Sequence, residues 1–219
     1  MATSREYTLF CAPDTYAMIV HAVLEDVGAD YDIRWIEIFT DNPDPDFLAA
    51  SPHARTPALA GPDGTLFETG AIALYIAERF PDANLVIKVT DPRRGKFLQW
   101  FHYLASSLQP EVLIQYHPEF YTDDKASQYR LKEASKKRLT VVLNVLNNAL
   151  ETGPYFFGDQ LSIIDFILAM QAVWDVIYPT NIDDYPNIKN MLEKIRQRNS
   201  VRHVFDLHQA ELKRRKTIG

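Results

Sequence analysis

Apolar and polar positions recur along this chain with two different periods, and the change from one to the other divides it. From Tyr7 to Cys11 a short run of β-formers is broken by Ala12-Pro13-Asp14-Thr15. Ile19, Val20, Val23, Leu24 and Val27 then fall at helical spacing until Gly28 ends the run as a C-cap would. Positions 31–38 read as a second strand, parallel to the first because a helix crosses between them. A Pro-rich loop leads to a brief helix at 47–50. Ala58-Leu59-Ala60 and Thr65-Leu66-Phe67 are two more short strands, joined by the turn Gly61-Pro62-Asp63-Gly64. Ile72, Leu74, Tyr75, Ile76 and Phe80 give positions 69–80 one apolar helical side, which Pro81 stops. The predicted order is βαβαββα around a four-stranded mixed sheet.

Beyond this the pattern is helical throughout. Periodicity lapses over 83–92, which reads as a linker between an α/β domain at 1–82 and an all-α domain at 93–219. Phe97, Leu98, Phe101, Leu104, Ala105 and Leu108 mark one helix running to about Gln115, where Gln109-Pro110 reads as a termination signal. Leu139, Val142, Leu143, Val145, Leu146 and Leu150 close a long amphipathic run at 125–150. Ser162-Ile163-Ile164-Asp165 is a capping box with its acid shortened to Asp, and Leu161 and Phe166 stand at staple spacing. Tyr185-Pro186-Asn187-Ile188 opens another helix, and the tail Lys213-Arg214-Arg215-Lys216 reads as a solvated, frayed end.

Charge narrows the partners. A net charge of −6, with acids and bases interspersed, argues against a nucleic-acid surface. The first residues lack an apolar h-region, and no apolar run approaches the ~20 residues of a membrane span, so a cytoplasmic protein is expected. A single cysteine, Cys11, excludes an intrachain disulfide and a C-x-x-C motif. At the end of an apolar strand it reads as an inert buried thiol and not a catalytic one. None of the histidines has metal-ligand spacing; His203 and His208 diverge by about 140° on a helix. No metal is expected.

Candidate chemistry concentrates in Ser51 to Thr69. Proline has no N–H for a ladder, so Thr56-Pro57 at the mouth of a strand reads as a bend that a cis bond would make. Such a bend leaves the Thr56 backbone as a free edge on which an extended peptide could pair. The helix starting at Thr69 offers unpaired N–H groups and a hydroxyl, which suit a carboxylate, while Glu68 suits an ammonium group.

The order R-T-P-A-L followed by D-G-x-L-x-E-T-G-A-I-x-x-Y-I-A resembles the glutathione-binding core of the cytosolic glutathione transferases, nearest in pattern to the bacterial beta-like classes. Gly158-Asp159 and Ser162-x-x-Asp165 extend the resemblance into the helical part. It implies a thioredoxin-like first domain, a helical second domain that carries the electrophile site, and a homodimer in which positions 93–102 lie at the pairing face. It also implies glutathione as co-substrate, held by Thr56 and Pro57 at its cysteinyl unit and by Glu68 and Thr69 at its γ-glutamyl end. Thr69 stands where the family usually has serine and keeps the hydroxyl.

His53 stands where the family commonly has a basic residue near the glycyl carboxylate, with Arg55 two residues on; each equally reads as a solvated loop residue. Gln109 matches the segment lining the electrophile pocket. Tyr16, Tyr103, Tyr116, Trp174 and Tyr178 could line that pocket too, although aromatics at such spacing are more often core. The family's thiol-activating donor lies in the turn after the first strand. Here that turn is Asp14-Thr15-Tyr16-Ala17, with neither serine nor cysteine, so Thr15 or Tyr16 becomes the donor. The implied activity is attack by glutathione thiolate on a small hydrophobic electrophile, as in detoxification. The alternatives are a non-catalytic glutathione-fold binding protein and a glutathione-dependent lyase or disulfide reductase.

Overall fold

In the computed structural model, which describes residues 5–172 and 181–218, the chain forms two compact units, Met1–Val86 with Arg196–Gly219, and Ile87–Ile195. The first unit is built on a sheet of β1 (Tyr7–Cys11), β2 (Tyr31–Trp35), β3 (Ala58–Gly61) and β4 (Gly64–Phe67), in the order β2-β1-β3-β4. β1 runs parallel to β2 and antiparallel to β3, and β3 pairs antiparallel with β4. The parallel pair needs a crossover, which α1 (Ala17–Val27) supplies. Gly28 ends α1 at φ 68, and its N–H bonds back to the Glu25 carbonyl.

The alternation of β1 assigns its two faces. Phe10 packs with Ile36, Ala58 and the buried Phe47 and Ala50 of α2 (Pro45–Ala50), a helix capped by the Asp44 carboxylate, which accepts from the Asp46 and Phe47 N–H groups. Leu9 and Cys11 point the other way. On that side α1 packs against α3 (Thr69–Arg79) and against the C-terminal α9 (Asn199–Ile218). Leu9, Ile19, Leu24, Leu59, Ile72 and Ile76 are fully buried, each contributing about 1.5–3 kcal/mol of transfer free energy.

The second strand stops at Trp35, short of the expected Ile38, because Phe39 turns the chain at φ 61 after Ile36 has made its last bond to the Cys11 carbonyl. The tail is no frayed end: α9 continues through Ile218. The Arg198 guanidinium grips Asp26 through Nε and Nη2, each at 2.9 Å, and Arg215 reaches the Ile36 carbonyl and Glu37. These partners lie more than 170 residues away in sequence.

The second unit holds α4 (Arg94–Tyr103), α5 (Gln109–Tyr116), α6 (Lys125–Ala149), α7 (Ile163–Ala172) and α8 (Pro186–Arg196). α4 passes into α5 through one π turn at Leu104–Leu108, closed by the Gln109 N–H on the Leu104 carbonyl. Pro110 therefore sits in the first turn of a continuing helix instead of ending one; the wider turn accommodates a residue with no N–H to give. α7 is buried along its whole described length. The Asn147 side-chain oxygen of α6 accepts from the Asn187 and Ile188 N–H groups and so caps α8.

Candidate functional site

Register brings the candidate segments of the first unit together. Ala58 stands opposite Phe67, so Thr56-Pro57, which leads into β3, and Glu68-Thr69, which follows β4, leave the ladder at the same end. The Thr56-Pro57 bond is cis. Ahead of it, the buried Ser51 hydroxyl donates to the Arg55 carbonyl at 2.7 Å and accepts from the Arg55 N–H, which closes loop 51–55 on itself. Ser51 carries no signal in the sequence, because its role depends on a turn that no local pattern announces. His53 and Arg55 are exposed on that loop.

Thr15 meets Thr56 directly, hydroxyl to hydroxyl at 3.2 Å. The Thr15 hydroxyl donates to the Ala12 carbonyl at 2.8 Å and accepts from the Ala17 N–H at the start of α1. The turn that follows β1 and the bend that precedes β3 thus share one point, beside a helix N-terminus whose field favours an anion. Glu68, exposed at the N-terminus of α3, is held at φ 75, and Asp14 and Ala54 sit at φ 56 and 51. For residues with a Cβ such backbone costs about 1–3 kcal/mol each. Three of the five non-glycine residues at positive φ among the described residues therefore flank this site. Thr69 begins α3 and is half-buried; Tyr16 is half-buried with its phenol oxygen enclosed.

Cys11 is fully buried, and burial pushes its thiol far above the ordinary range. Its Sγ lies 3.7 Å from the Ala12 carbonyl oxygen and 3.8 Å from His208 Nε2. His208 and its neighbour His21 are fully enclosed, and sequence spacing, which tests only for metal geometry, gave no signal that they meet. Among the described residues no group of three or more His, Cys, Asp or Glu is placed to hold a metal ion, and no helix is long and apolar enough to cross a membrane. A polar concavity between α1 and α9, lined by Glu25, Asp26, Arg198 and His203, lies off this site. Its Asp26 is engaged by Arg198 and by the Ser200 hydroxyl at 2.6 Å.

In the second unit, Gln109 is half-buried where α5 leaves the π turn, Tyr116 is exposed at the end of α5, and Tyr103 is half-buried with its ring perpendicular to that of Trp100. Trp174 and Tyr178 lie outside the described residues.

A thioredoxin-like sheet with its bend opposite the turn after β1, followed by a helical unit, defines the class as thiol-handling proteins of the glutathione-transferase type. Residues 5–78 match the family model for the glutathione S-transferase N-terminal domain and residues 112–205 that for the C-terminal domain; the chain belongs to the glutathione S-transferase superfamily. It is 26% identical over 197 residues to glutathione S-transferase GstA of Escherichia coli O157:H7, covering 88% of this chain and 94% of the relative. To the disulfide-bond oxidoreductase YfcG of Escherichia coli K12 it is 28% identical over 205 residues, covering 87% and 90%. Among solved structures it is similar to a glutathione transferase homologue from sulfitobacter with bound glutathione, at a TM-score of 0.81 and 26% identity over 91% of this chain and 97% of that one.

Proposed function

We propose that this protein is a cytoplasmic, homodimeric glutathione transferase that uses bound glutathione as a thiolate nucleophile toward small hydrophobic electrophiles. The observation that carries the reading is the 3.2 Å approach of Thr15 to Thr56, which sets a hydroxyl at a helix start against the backbone edge suited to a cysteinyl unit. Thr56 and Pro57 take that unit, Glu68 and Thr69 the γ-glutamyl end, and His53 and Arg55 the glycyl carboxylate. Gln109, Tyr116 and Trp174 belong to the electrophile side. The GstA relative and the glutathione-bound homologue support glutathione as co-substrate.

In the reaction the sulfur lone pair forms a C–S bond as the electrophile's leaving group departs with its own electron pair. A thiol of pKa near 8.5 is only about 3% ionised at pH 7. Lowering it by two units raises the thiolate roughly 25-fold, but a Brønsted slope of ~0.45 takes back about 8-fold in nucleophilicity. Activation alone thus gives about threefold, and holding the electrophile against the sulfur supplies the rest.

A second reading has its own support in the YfcG relative: glutathione-dependent disulfide reduction, in which the same thiolate displaces a thiolate from a mixed disulfide and leaves oxidised glutathione. Retention on immobilised glutathione followed by parallel assays separates the readings. Turnover of an aryl halide or isothiocyanate supports transfer, and turnover of a mixed disulfide alone moves the assignment to reduction. Retention with neither leaves a binding protein, and no retention sinks the glutathione site. Sedimentation at micromolar concentration is expected to give twice the 25.1 kDa chain mass; a monomer refutes the pairing.

A further inference from the structure

The turn that carries Thr15 is held from behind by a residue at the far end of the chain. Asp14, at φ 56, donates its backbone N–H to Nδ1 of His208 on α9 at 3.3 Å. That one bond fixes a directional series. A His208 that accepts at Nδ1 carries its hydrogen on Nε2, which lies 3.1 Å from His21 Nδ1 on α1. His21 then carries its hydrogen on Nε2, 2.9 Å from the Tyr31 hydroxyl, and Tyr31 donates onward to the Glu25 carboxylate at 2.7 Å.

The groups facing this series are Cys11 from β1, the edge-on ring of Trp35 and Tyr31 from β2, His21 and Glu25 from α1, and, along α9, His203, Glu211 and Arg215. Burial pushes His21 down to about 3 and His208 down to about 4, so both imidazoles are neutral at physiological pH and each has a single donor and a single acceptor. A backbone N–H cannot pass a proton along, so the series is a brace and not a relay.

We propose that His208 is a positioning residue for thiol activation: by accepting the Asp14 N–H it keeps Asp14 in its left-handed conformation and so holds the Thr15 hydroxyl at Thr56. The His21–Tyr31–Glu25 series selects the tautomer that can do this. The chemical consequence rests on the reading above, in which Thr15 donates to the thiolate; the hold on the turn does not.

Two substitutions divide the roles of the ring. His208→Asn puts an amide oxygen near the place of Nδ1 and keeps an acceptor for Asp14. His208→Gln puts its amide near Nε2, keeps the link to His21 and leaves the turn without an acceptor. Hydrogen exchange at the Asp14 amide, without added glutathione, is expected to stay near wild type in the first and to accelerate about tenfold in the second. The pKa of bound glutathione, read from thiolate absorbance, is expected to hold in the first and to rise by about one unit in the second.

Equal behaviour of the two variants, whether both loosened or both unchanged, overturns the proposal, since packing alone does not distinguish them. Exchange in the predicted order with an unmoved thiol pKa keeps the brace and removes Thr15 as donor. A wild type that binds no glutathione refutes the functional reading while the exchange test still decides this one. If His208→Gln fails to fold, imidazole nitrogen shifts of the unsubstituted protein answer instead: an unprotonated His208 Nδ1 supports the brace, and a protonated one ends it.

Discussion

A hydroxyl has one proton, and Thr15 gives it to the Ala12 carbonyl 2.8 Å away. Hydrogen bonds to charged groups are worth about 1.5–3 kcal/mol against about 1 for neutral pairs, so a thiolate beside Thr15 outcompetes that carbonyl. Thr15→Val is therefore expected to raise the pKa of bound glutathione by one to two units, at about 1.36 kcal/mol each. The Brønsted offset limits the loss in kcat/KM at neutral pH to about threefold. Tyr16→Phe is expected to leave the thiol pKa where it is; a rise there alone would transfer the role to the phenol. In the proposed reading Glu68 holds the other end of glutathione. Glu68→Gln is expected to weaken glutathione binding about tenfold or more with little change in kcat, because an anchoring charge contributes to substrate and transition state alike. Intact affinity would refute the assignment of the whole edge. Motif order and turn position mark both residues as candidates in the sequence. The bonds that aim Thr15 were not legible there, since they depend on Thr56 and His208, 41 and about 190 residues away.

At the scale of elements, the capping box that opens α7 was legible as Ser162-x-x-Asp165, but its bonding was not. The Asp165 carboxylate accepts three donors, the Phe156 N–H at 2.9 Å and the Ser162 N–H and O–H at 2.8 Å each. It thereby ties the preceding loop as well as the cap, a long-range role that a four-residue motif does not encode. Asp165→Asn replaces one acceptor with an NH₂ group aimed at donors. A loss of about 2–3 kcal/mol is expected in urea unfolding, with Ser162→Ala costing about 1. Wild-type stability in Asp165→Asn would contradict the bonding. The Gln109-Pro110 pair carries the same lesson in reverse. By its chemistry proline reads as a stop, yet a single π turn absorbs the missing N–H and the helix runs on, because the buried Leu104, Leu108 and Val112 of that stretch keep it in the core.

At the scale of the molecule, α/β order and helical remainder were readable from periodicity alone, whereas the membership of α9 in the first unit was not. What fixes α9 there is Arg198 on Asp26, His208 on His21 and Arg215 on Ile36 and Glu37, none of which leaves a periodic trace. The buried histidines of the first unit and the buried Asp165 of the second respond to mild acid with opposite signs. His21 and His208 fold with pKa values near 3 and 4 against 6.5 unfolded, so between those values the unfolded chain binds more protons. Their stabilisation is complete above pH 6.5 and is lost as pH falls toward 4, on the order of 3 kcal/mol for His208 alone. Glu211, held near 2 by Arg214 and Arg215, adds a loss of the same sign below 4.5. Asp165 is pushed up to about 6 by burial, against 3.8 unfolded, so there the folded chain binds more protons, and acidification through that window strengthens its unit. Hydrogen exchange corrected for intrinsic rates is therefore expected to show protection of α1 and α9 falling between pH 7 and 4.5 while α7 stays protected. Loss of α7 first, or a uniform loss along the chain, would show that the buried histidines do not set the acid limit of the fold.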